Sequence, residues 1–159
     1  MMIEGTGNGI RFHSNVFKST LDIPATPALS EIVWSPNSDW FSVNYSDGGL
    51  VGTWNSRLYF VKNGFLKRYV DINKTISIEH DKLNPQCDEP EDLNFGIIMS
   101  MHSGNTLVIA AEVPPHSSCK NMGETKFFTF DLDKMKISKG INRSVLNQTI
   151  KNNLGCRFF

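Results

Sequence analysis

Asn63-Gly64 separates two runs rich in aromatic and aliphatic residues, Arg57-Leu-Tyr-Phe-Val61 and Phe65-Leu-Lys-Arg-Tyr-Val70. A two-residue connection between strands needs positive φ at both central positions, which Asn and Gly tolerate best, so this pair predicts a type I′ β-hairpin. The reading extends outward from there. Glu31-Ile-Val-Trp34 reads as a strand, Ser35-Pro36-Asn37-Ser38-Asp39 as a turn, and the alternating Trp40-Phe-Ser-Val-Asn-Tyr45 as its return strand. Asp47-Gly48-Gly49 makes the next break.

The same order recurs in the second half. Gly96–Ser100 reads as a strand, His102–Asn105 as a turn and Thr106–Ala111 as the return strand. Lys126–Phe130 and Met135–Ser138 then flank the turn Asp131–Lys134. With 40% hydrophobic and 11% aromatic residues the chain has the material for a β core. The expected fold is mainly β: antiparallel meanders from two blade-like four-stranded units, with one C-terminal helix. The strand–turn pattern resembles blades of TolB- and dipeptidyl-peptidase-type β-propellers over residues 31–72 and, more weakly, 95–139. Two such units are too few to close a propeller, so stacked or side-by-side meanders are the economical arrangement.

A chain of 159 residues fits one domain, 1–159. Its expected parts are an N-terminal segment 1–30, a first β unit 31–72, an acidic linker loop 79–94, a second β unit 95–139 and a helix within 143–155. In the N-terminal segment, strands are expected only at Ile10–Phe12 and around Val16–Leu21. Gly5, Gly7 and Gly9 read as a loose entry, because they lack the flanking strand and helix of a phosphate-binding loop. Ser144 is placed as the cap of a helix running to Leu154, with Gly155 as its stop.

No catalytic motif emerges, and the protein is read as no enzyme. His13, His80, His102 and His116 show no metalloprotease spacing, and no G-x-S-x-G elbow occurs. Ser117-Ser-Cys-Lys120 matches S-x-x-K, but that chemistry requires a helix, and Pro114-Pro115 and Gly123 argue for a loop. The four glycosylation sequons at Asn44, Asn73, Asn142 and Asn147 are read as chance matches. Cys87, Cys119 and Cys156 form no C-x-x-C pair, so neither a metal site nor any cofactor is expected. Partly buried free thiols in a cytoplasmic protein are the expectation; if a signal peptide had been removed, the setting would be periplasmic and one pair could bridge.

Lys+Arg and Asp+Glu balance at 16 each, so direct nucleic-acid binding and membrane binding are not expected. Charge is distributed unevenly, however. Glu79, Asp81, Asp88, Glu89, Glu91 and Asp92 crowd the 79–94 segment against the single Lys82, whereas lysine and arginine prevail after it. Together with Trp54, placed as an exposed residue of the Gly48–Asn55 loop, these carboxylates form the expected partner-binding set. In size and β-meander character the chain resembles the immunity proteins of contact-dependent-inhibition and type VI effector systems. That resemblance implies a protein partner: a bacterial toxin with a basic surface, such as a nuclease, whose active site the carboxylates would occlude. The alternative is a carbohydrate- or peptide-binding β module, or a propeller fragment of a larger receptor, built around Trp54.

Overall fold

The computed structural model describes residues 2–6, 9–13, 21–46, 48, 54–63, 65–76, 86–88, 94–101, 105–142, 144 and 146. They form three antiparallel sheets in the order N-terminal meander, first four-stranded meander, second four-stranded meander.

The first meander comprises β4 (Ser30–Trp34), β5 (Trp40–Ser46), β6 (Trp54–Lys62) and β7 (Phe65–Asp71), paired in sequence order. Its β4–β5 turn is held by Ser35, whose backbone N–H and hydroxyl both donate to the Trp40 carbonyl at 3.0 and 2.9 Å, while its hydroxyl accepts from the Trp40 N–H at 3.1 Å. Ser38 takes a positive φ of 60° there. At the β6–β7 hairpin Lys62 pairs with Phe65 and Asn63 has φ 54°, as a type I′ turn requires.

The second meander comprises β8 (Asn94–Met101), β9 (Thr106–Glu112), β10 (Thr125–Asp131) and β11 (Lys136–Ile141), again in sequence order. Asp131 organises its last turn by accepting from the Asp133 and Lys134 N–H groups at 3.0 and 2.9 Å, and Lys134 Nζ lies 2.7 Å from its other oxygen. Met135, with φ 52°, belongs to this turn rather than to the strand. The final hairpins of both meanders then share an irregularity. After two regular pairs from the turn, the last strand carries one extra residue, Lys67 in β7 and Ser138 in β11.

Residues before 31 correct the expectation of a loose entry. Met2–Thr6 (β1), Gly9–His13 (β2) and Leu21–Ile23 (β3) form a three-stranded meander. Gly9 ends the β1–β2 turn where a Cβ would run into the Ile23 carbonyl oxygen, so its role is close approach of backbones. The expected strand around Val16–Leu21 falls mostly outside the described residues; its described end, Leu21, starts β3.

Alternation sets the layers. One face of the first meander presents Phe41, Val43 and Tyr59 to Ile10, Phe12, Ile23 and Ala25 of the N-terminal segment, forming one core. Its opposite face presents Trp40 and Leu58 to Leu107, Ile109, Ala111, Phe128 and Phe130 of the second meander, forming the larger core. The first meander is therefore the middle layer. Alternation also accounts for the second meander's other face, where Val108, Ala110 and Phe127 are buried as well.

Between the meanders lies a short helix that the sequence reading did not place, α1 (Ile72–Ile76). Asp71 caps it, accepting from the Lys74 N–H at 3.2 Å, while Ile72 and Ile76 enter the larger core. At the C-terminal side, Ser144 and Leu146 are helical and the Leu146 N–H donates to the Asn142 carbonyl at 3.1 Å. The Asn142 side-chain oxygen accepts from the Ser144 N–H at 3.1 Å, so Asn142, not Ser144, is the cap. The remainder of the expected helix over 143–155 lies outside the described residues.

Candidate functional site

Of the expected partner-binding residues, Glu79, Asp81, Glu89, Glu91 and Asp92 lie outside the described residues. Asp88 is described and exposed. Its neighbourhood is held firmly. Cys87 is disulfide-bonded to Cys119, which corrects the expectation that both are free thiols. The two cysteines also form an antiparallel bridge. On one side of it the Lys120 N–H donates to the Gln86 carbonyl at 2.8 Å, and the Gln86 N–H donates to Asn121 Oδ1 at 2.9 Å. The acidic segment is thus fastened, at Gln86 and Cys87, to the loop that joins β9 to β10.

That loop is itself ordered by local bonds. The Val113 N–H donates to the Glu124 carbonyl and the Gly123 N–H to the Val113 carbonyl, at 2.9 and 2.8 Å. Ser117 donates to the Pro114 carbonyl at 2.6 Å. Ser117 stands in a bend and Lys120 in a turn, without the helix that S-x-x-K chemistry needs. Among the described residues no group of three His, Cys, Asp or Glu side chains converges to hold a metal ion. No described helix is long and apolar enough to cross a membrane.

Trp54 is not the exposed loop residue that was expected. It begins β6, is half-buried, and its backbone N–H donates at 2.8 Å to Asn94 Oδ1. Asn94, only 1% exposed, also donates to Glu112 Oε2 at 3.1 Å, so one amide connects the first meander to both β8 and β9. Replacing Asn94 by Ala deletes both bonds of a buried side chain. A loss of about 1–3 kcal/mol is expected, read as a lower denaturation midpoint with an unchanged m-value. Asn44, from one of the sequons, is buried and bonded to the Ser56 hydroxyl at 2.6 Å, so its side chain is unavailable to a glycan in the folded chain.

A second cluster was not anticipated. An aromatic ladder crosses the first meander strand by strand: Trp34 to Phe41 at 4.7 Å, Phe41 to Tyr59 at 5.0 Å, and Tyr59 to Tyr69 at 5.9 Å between ring centroids. The ladder runs from the half-buried Trp34 through the buried Phe41 and Tyr59 and ends in solvent, with Tyr69 61% exposed. Beside its open end the Arg57 guanidinium lies 5.2 Å from the Tyr45 ring centroid and 6.0 Å from that of Tyr69. Burial pushes the Tyr45 phenol above its ordinary pKa, with the nearby Arg57 charge opposing. The Tyr59 phenol is likewise raised by burial, against a hydrogen bond to Arg57. Burial works against the Arg57 charge, but the Tyr45 and Tyr59 phenols and Asp71 outweigh it, leaving the guanidinium more basic than usual. Its Nε is buried without a hydrogen-bond partner.

The bulge at Lys67 explains why this cluster escapes sequence reading. A regular two-residue hairpin would pair Tyr69 with Leu58 and aim it toward the larger core. The extra residue instead pairs Tyr69 with Tyr59 and Asp71 with Arg57, placing them on the Arg57 face. Only the alternation of Arg57 and Tyr59 hinted at a common face.

Compared with known proteins, the chain matches no family model, no curated protein and no solved structure.

Proposed function

We propose that this protein is a binding protein that inhibits a protein partner, acting as an immunity protein against a bacterial toxin with a basic surface. The observation that carries this reading is the fastening of the acidic segment. Gln86 and Cys87 are fixed by a disulfide and two hydrogen bonds, with the adjacent Asp88 left exposed. Residues held in place before association lose less conformational freedom on binding, which is how anchored inhibitor contacts gain affinity. A carboxylate beside such an anchor, as Asp88 is, complements a cationic groove, speeding encounter and fixing register. The disulfide favours an oxidising setting such as the periplasm over the cytoplasm.

Co-expression with the product of the adjacent reading frame, followed by capture and a binding titration at low and high salt, tests the proposal. Asp88→Lys combined with Glu91→Lys is expected to weaken the complex by about 2–5 kcal/mol where those charges are desolvated. Stability of the free protein is expected to stay within about 0.5 kcal/mol. Full toxin protection by the double variant, with unchanged and salt-insensitive affinity, sinks the role of this loop.

A further inference from the structure

The geometry points to a second recognition site, independent of the acidic segment, at Tyr45, Arg57 and Tyr69, where the guanidinium receives a carboxylate from a protein partner. Three observations converge on it. Arg57 lies beside two tyrosine rings, which restrict where its planar head can turn. No ion pair among the described residues neutralises it, although Asp71 stands directly across the β6–β7 ladder. Tyr69 adds a large exposed aromatic surface, anchored through Tyr59 and Phe41 to the core.

The ligand class follows from charge and shape. A guanidinium fork matches the two oxygens of a planar carboxylate. Asp71 nearby disfavours a dianion, so a singly charged carboxylate suits the site better than a phosphate. Tyrosine and arginine are also the side chains that most often anchor protein interfaces, because they supply large contact area at small conformational cost. Strands rather than loops carry all three residues, so the site exists before the partner arrives.

The experiment is a titration of the isotopically labelled full chain, followed by nuclear magnetic resonance of the arginine Nε–Hε and tyrosine ring signals. The probes are an oligoglutamate peptide, its oligoglutamine counterpart and inorganic phosphate. Oligoglutamate is expected to move the Arg57 and Tyr69 signals saturably, oligoglutamine to leave them in place, and phosphate to bind more weakly. Arg57→Lys keeps the charge and loses the fork, and is expected to weaken oligoglutamate about tenfold, as loss of an interface anchor does. Tyr69→Ala alters an exposed side chain and is expected to weaken binding several-fold with the remaining spectrum intact, which keeps the test decisive if Arg57 variants misfold. Equal affinity of the Arg57→Lys chain, shifts confined to other basic residues, or tighter binding of phosphate would each overturn the proposal. Asp88→Lys is expected to leave this titration unchanged, so failure here and failure of the acidic-loop reading are separable.

Discussion

Truncating Phe130 to alanine is expected to remove about 3–5 kcal/mol of stability, the usual cost of deleting a buried phenylalanine. Phe130 is fully buried in the larger core with Trp40 and Leu58 from the first meander and Leu107 and Ile109 from its own sheet. It stands where two sheets face each other, so the cavity left behind would be lined from both sides and could not easily collapse. A domain of ordinary stability holds about 5–15 kcal/mol in total, so the variant is expected to unfold at a much lower denaturant concentration and temperature. Met122, 57% exposed, supplies the control, since Met122→Ala is expected to stay within about 0.5 kcal/mol. A Phe130→Ala cost below about 1 kcal/mol, well under the range for a packed core, would mean that the two meanders do not pack through these faces.

The second large effect is expected on opening the Cys87–Cys119 bond. The cysteines are separated by 32 positions. Chain-entropy estimates give about 3 kcal/mol for a closed loop of 15 residues and about 4.7 kcal/mol for one of 100. Loss of this cross-link is therefore expected to cost between those limits, minus whatever order the reduced chain retains. Cys119 is also buried in the larger core, so Cys119→Ser adds the penalty of an unpaired hydroxyl, and Cys119→Ala is the cleaner variant. Thiol titration of the denatured chain provides the direct check: three cysteines less the two in the bond leave one reactive thiol before reduction and three after. Three thiols without reductant would show that the bond does not form.

The parts of the fold legible in the sequence were those fixed by local chemistry. Asn63-Gly64 and Ser35–Asp39 announced their turns because the required backbone angles and side-chain bonds lie within a few residues. The two four-stranded units followed, with strands running Ser30–Asp71 and Asn94–Ile141 against the expected 31–72 and 95–139. What escaped depended on distant partners. The glycines near the N-terminus carry little strand propensity, and β2 is secured by pairing on both sides and by burial of Ile10 and Phe12. Helix α1 contains two isoleucines and a threonine, poor helix formers, and owes its place to the Asp71 cap and to burial of Ile72 and Ile76. The cysteine pairing could not be read from spacing, because only the folded chain brings residue 87 beside the loop before β10. The acidic cluster was visible as composition and the Tyr45–Arg57–Tyr69 cluster was not, since a single inserted residue decides which face Tyr69 joins.

The repeated insertion in the last strands has a colloidal consequence. Strands β7 and β11 are outermost in their sheets, where open backbone groups invite strands from neighbouring molecules. The sequence carries a formal net charge of zero, so long-range repulsion between copies is weak near neutral pH. Dispersion in a concentrated solution then falls to short-range obstacles at the borders. Lys67 and Ser138 each interrupt the regular ladder, and the exposed Lys67 and Lys136 place cationic side chains on those strands. A neighbour attempting to extend either sheet meets a kinked, charged rim, and protection of this kind is short-ranged enough to survive at ionic strengths that screen bulk charge.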